Sequence, residues 1–184
     1  MAEMLPHTKT HSIQLTAIPL LEVSGIVEMI LHQALGFCAE KMALKDEAQV
    51  IHRLRRRERA ACSYWHYALA QQVAEQICTW DEDIQAAYVC TYDATPQDAC
   101  FCDQDSPYPV HMIVWAWRKT AALQALVEAA EQALRQCCTE MLDAPPQAHV
   151  LDIQVVDDHE VENRLGYGAL LSSIHNRPIQ VWER

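Results

Sequence analysis

The segment Pro109–Arg118, Pro-Val-His-Met-Ile-Val-Trp-Ala-Trp-Arg, has the clearest hydrophobic pattern in the chain. β-branched and aromatic residues dominate it, which suits a pleated strand. Alternation places Val110, Met112, Val114 and Ala116 on one side and His111, Ile113, Trp115 and Trp117 on the other. Both sides are largely apolar, so the strand is expected in the middle of a sheet with both faces covered. No acid lies on it.

The other elements are placed around this strand. Residues 1–12 read as a loose segment, and Ile13, Leu15 and Ala17 alternate in a short stretch that Pro19 limits to an edge strand. Leu20 to Met42 has an apolar stripe at helical spacing, including Val27, Ile30, Leu31, Ala34, Leu35 and Cys38. A second helix starts near Asp46, a plausible N-cap, and runs toward Cys78. It is either continuous, about 50 Å long at about 1.5 Å per residue, or broken near Arg59. Residues 20–80 thus form a helical part. Ile84–Tyr92 reads as a strand, joined to the central one by a polar, proline-punctuated connection, so the two are expected to pair antiparallel. Lys119–Met141 is a helix that Thr120 can cap, and His149–Val156 is a third strand. Asp157 and Asp158 start a final helix over His159–Ile174, which Asn176 and Pro178 end, and Ile179–Trp182 is a short last strand. No internal repeat is visible. The pattern predicts an α+β protein with a mixed sheet of about four strands.

Composition narrows the class. A length of 184 residues with 51% apolar and 21% charged residues suits one soluble globular domain spanning 1–184. The net charge of −11 opposes nucleic-acid binding, which rests on a basic surface. The basic run Arg53–Arg59 stands apart: it is either an anion or RNA contact, or a solvated helix face partly paired with Asp46, Glu47 and Glu58. Tyr64, Trp65 and Tyr67, which follow it, read as packing residues rather than a base-stacking platform. No apolar run reaches about 18 residues and the start lacks the layout of a signal peptide, so no membrane span and a cytoplasmic location are expected. Eight cysteines, several at helical positions among alanines and leucines, suit a reduced compartment.

The element order over residues 84–184 resembles the nucleotidyltransferase fold, especially its small bacterial forms. The local likeness is best in Leu151-Asp-Ile-Gln-Val-Val156, in Asp158 to Ile174 with its Leu-Gly-Tyr-Gly, and in Ile179-Gln-Val-Trp182. The resemblance implies a glycine-serine turn after the first strand, two acids spaced by one residue on the second strand, and a third acid on the next. Acids two apart on a strand share a face and can hold two metal ions against a triphosphate. Here the turn reads Tyr92-Asp93-Ala94-Thr95, without glycine, and the acid positions fall on Val110 and Met112. Asp152 alone remains, at the third position, and one acid among apolar neighbours does not hold two Mg²⁺ ions. The resemblance also leads us to expect Asp152 and Gln154 on the same side as Val110, Met112 and Val114, with that side covered by the residue 20–80 helices or by a partner chain. The pair Asp103 and Asp105 has the right spacing for a displaced acid pair, but sits in a polar loop that gives it little support.

Two further sets of residues bear on chemistry. Cys90, Cys100, Cys102 and His111 could form a zinc site, although one residue between Cys100 and Cys102 is atypical and free thiols are the simpler reading. Cys62 and His66 share a helix face, yet a nucleophile pair needs a cleft and an orienting third group. The expectation is therefore a nucleotidyltransferase-like protein without catalysis or resident cofactor, acting by binding or interaction, with a second copy or another protein as partner. The alternatives are an active enzyme using Asp103, Asp105 and Asp152 with Mg²⁺ and a nucleotide, or a zinc-stabilised binding module.

Overall fold

A computed structural model describes residues 20–90, 110–142, 150–174 and 177–184. Six helices and four strands follow one another among these residues: α1 (Leu20–Lys41), α2 (Glu47–Arg55), α3 (Arg59–Trp80), β1 (Ile84–Val89), β2 (Val110–Ala116), α4 (Ala121–Leu142), β3 (Leu151–Asp157), α5 (Asp158–Glu162), α6 (Gly168–Leu171) and β4 (Ile179–Glu183). The architecture is α+β, built on one mixed sheet with the order β3-β2-β1-β4. β1 is antiparallel to β2 and β4, and β2 is parallel to β3. The central strand is thus interior to the sheet, as its two-sided apolar pattern requires. The expected edge strand near Ile13 lies outside the described residues.

The helices follow their local signals, with one departure. Asp46 caps α2 by accepting from the Gln49 N–H at 3.0 Å, and Thr120 Oγ1 accepts from the Leu123 N–H at 3.0 Å at the start of α4. The run from Asp46 to Cys78 is broken, because Arg57 takes a left-handed φ of 55° and turns the chain between α2 and α3. The single helix expected over His159–Ile174 is instead two short helices. Arg164 and Gly166, with φ of 55° and 49°, interrupt it. Asp157 opens α5 with a reciprocal capping box: its carboxylate accepts from the Glu160 N–H, and the Glu160 carboxylate accepts from the Asp157 N–H. α6 then folds back so tightly that a Cβ on Gly168 would lie 2.6 Å from the Glu160 carbonyl oxygen.

The main core lies between the helices and one face of the sheet. Leu31 and Leu35 of α1, Leu54 of α2 and Trp65 and Leu69 of α3 are fully buried with Met112 of β2 and Leu123 and Leu134 of α4. α3 packs on β1, β2 and β4, and α4 packs on α1 and β3. Val110, Met112, Val114 and Ala116 belong to this core, as do Ile84, Ala87 and Val89 from β1. The side of β2 bearing Val110 and Met112 is therefore covered by the chain's own helices.

Asp152 does not share that side. The parallel register sets His111 against Asp152, Ile113 against Gln154 and Trp115 against Val156. Side chains in register point the same way, so Asp152 and Gln154 stand on the opposite face, beside His111 and Ile113. The expectation that placed Asp152 with Val110 and Met112 was out by one residue. Alternation fixes which residues share a face within a strand, but not the register between strands.

Candidate functional site

The second face of the sheet is only partly covered. Ala86, Ile113 and Val156 are buried along its middle, outside the main core. Tyr88, His111, Trp115 and Gln154 are half-buried around them. At one end, Asp158 of α5 accepts from Trp115 Nε1 at 2.7 Å and from Gln85 Nε2 at 2.9 Å. Gln85 reaches Asp158 because the β1–β2 register shifts between Ile84 and Ala86, and a bulge of this kind re-aims a side chain. Lys119 pairs with Glu160 at 2.6 Å and ties the start of α4 to α5.

At the other end stands the polar group that alternation alone did not assemble. His111 Nδ1 lies 3.0 Å from Asp152 Oδ2, and Gln154 Nε2 donates to Asp152 Oδ1 at 2.6 Å. The side chains of His111 and Asp152 are 26% and 38% exposed. Both oxygens of the carboxylate therefore have a partner within the sheet. Cys90 follows β1 opposite His111, its N–H donating to the His111 carbonyl at 2.9 Å. Burial, and then the negative charge of Asp152, push the Cys90 thiol up to about 11. A thiol held neutral at ordinary pH is a poor nucleophile.

His66, on α3, is half-buried. Its Nε2 is fully buried and finds no hydrogen-bond partner among the described residues. Burial, with repulsion from His111, lowers its imidazole to about 4, so it is neutral at pH 7. Cys62 lies one turn earlier on α3 and is half-buried. No orienting carboxylate bonds to His66 among the described residues, and its neutral, desolvated ring reads as a packing residue.

Tyr88, next to Ile113 on the partly covered face, has its phenol raised, first by burial and then by Glu183, with Arg177 acting in the opposite direction. The face thus presents hydrogen-bonding groups from three strands around a buried apolar strip.

The other candidate residues divide simply. Asp103 and Asp105, and Cys100 and Cys102, lie outside the described residues. Among the described residues, no group of three or more His, Cys, Asp and Glu stands close enough to hold a metal ion. No described helix is long and apolar enough to cross a membrane. Comparison of the chain with family models, with curated proteins and with solved structures gives no match.

Proposed function

We propose that this chain is a nucleotidyltransferase-like protein without catalysis, acting through a binding or protein-interaction role. The observation that supports this reading is the His111–Asp152 contact. In the family it resembles, the face bearing the third acid also bears two acids spaced by one residue on the neighbouring strand. The positions of β2 that share a face with Asp152 are His111 and Ile113. An imidazole and a buried isoleucine stand where carboxylates are needed, and the Asp152 carboxylate is already engaged by His111 and Gln154. Two Mg²⁺ ions need more oxygen ligands than this. The half-buried polar rim around Ile113 then serves recognition rather than phosphoryl chemistry. Its partner is a second copy of the chain or another protein, with a nucleotide as the small-molecule candidate; no resident metal is expected.

Titration of the full chain with ATP or CTP, with and without Mg²⁺, tests the reading. Nucleotide binding that is absent or insensitive to Mg²⁺ agrees with it. Saturable Mg²⁺-dependent binding, abolished by Asp103→Ala or Asp152→Ala, would establish the enzyme instead. Elemental analysis giving one zinc per chain would favour a zinc-stabilised module.

A further inference from the structure

The corner between α2 and α3 holds a charge feature that the sheet face does not use. Five of the chain's 14 Lys and Arg residues lie between Arg53 and Arg59, against one of its 25 acids. Arg55, Arg57 and Arg59 are exposed, and the Arg56 side chain is 67% exposed. Three acids, Asp46, Glu47 and Glu58, lie nearby in the chain. Asp46 accepts from the Gln49 N–H, and Glu47 contacts His32 at 2.8 Å. Glu58 lies 3.7 Å from Arg53 and 3.9 Å from Arg56, so one carboxylate is loosely shared by two guanidiniums. Asp46, Gln49, His52, Arg53, Arg56 and Glu58 line an open depression at this corner.

We propose that the α2–α3 corner, Arg53 to Arg59, is a docking surface for a short acidic segment of a partner protein. All five cations are arginines, whose planar forks suit bidentate recognition of carboxylate or phosphate. The size of the patch decides between the two. A chain of this length folds to a radius of gyration of about 16 Å. A nucleic-acid duplex, with one negative charge per about 1.7 Å, brings about 20 phosphates across such a molecule. Most of them would run past the arginines, over a body that holds the other acids, among them exposed Glu28 and Glu40 on α1, which packs on α2. An acidic peptide confines its charge to the corner and avoids that repulsion. The surface lies on different elements from the His111–Asp152 face, and its test does not depend on whether that face is catalytic.

The experiment uses the full chain and a fluorescein-labelled octaglutamate peptide, read by anisotropy at low and high salt, beside a labelled duplex DNA long enough to span the molecule. The peptide is expected to bind at low salt, to weaken as salt rises, and to bind about tenfold more weakly to the Arg56→Glu/Arg59→Glu variant. Both substitutions are at exposed positions, and Arg56→Ala/Arg59→Ala provides a milder second variant; circular dichroism checks the fold of each. Tighter binding of the duplex than of the peptide would overturn the proposal in favour of nucleic acid. Absence of peptide binding at low salt, or equal binding to both variants and the parent, would show the arginines to be a solvated surface only.

Discussion

His111 and Asp152 are 41 positions apart in the chain, and a parallel strand pairing brings Nδ1 and Oδ2 to 3.0 Å. Neither residue is fully buried, so the contact should be modest in energy. A double-mutant cycle with His111→Ala, Asp152→Ala and the pair, followed by urea unfolding, should give a coupling of about 0.5–1 kcal/mol. A coupling of zero would place the two side chains apart in solution.

His66 gives the chain a pH dependence whose sign follows from its burial. The imidazole ordinarily titrates near 6.5, and in the folded chain it falls to about 4. Between these values the unfolded chain holds a proton that the folded chain does not, so stability falls as pH falls through this window. From pH 7 to pH 5 the loss due to His66 should be about 2 kcal/mol, since a tenfold change in proton affinity is worth about 1.4 kcal/mol. His66→Phe should flatten this part of the stability profile. An unchanged slope in the variant would show that His66 is not buried neutral.

Arg184 should stabilise the end of α3. Its Nη2 donates to the carbonyls of Cys78 and Asp81, and its Nε to the carbonyl of Ile84, each at 2.9 Å. These include orphan acceptors that every helix leaves at its C-terminus. Arg184→Ala should lower stability by about 1–3 kcal/mol, and Arg184→Lys should recover only part of the loss, because an ammonium cannot span the same fork. Thermal or urea unfolding reads both.

Gly168→Ala should be among the more damaging single changes outside the main core. The new methyl would meet the Glu160 carbonyl oxygen at 2.6 Å and the Val161 nitrogen at 2.9 Å, both backbone atoms. Relief requires α6 to move away from α5, at a cost of about 1–3 kcal/mol. A variant as stable as the parent would show that α6 moves off α5 without cost.

Much of the fold was legible in the sequence because its signals are local. The alternation around Ile113, the stripe along α1, the Asp46 cap and the Thr120 cap each rest on residues within a few positions of one another. The α5–α6 break was less visible. Arg164 adopts a left-handed φ that its residue type does not advertise, and Gly168 is needed for a contact with Glu160 that periodicity does not reveal. The candidate site was the least legible part. The sequence marks Asp152 as a lone acid and His111 as a possible zinc ligand, two separate roles. Their pairing depends on register, a relation between two strands, and a shift by one residue exchanges the faces.

The sheet order also sets a sequence of events in folding. β1 lies between β2, its neighbour along the chain, and β4, which is remote from it; Arg184, just beyond β4, bonds to Cys78 across 106 positions. While the chain is being synthesised, α1 to β3 can form before residues 179–183 exist. During that interval one edge of β1 has no β4 against it, and an open strand edge is a template for pairing with another chain. Distant pairings of this kind also form slowly. A nascent species lacking β4 then leaves the β1 edge open to another chain, and a single late step both covers that edge and caps α3.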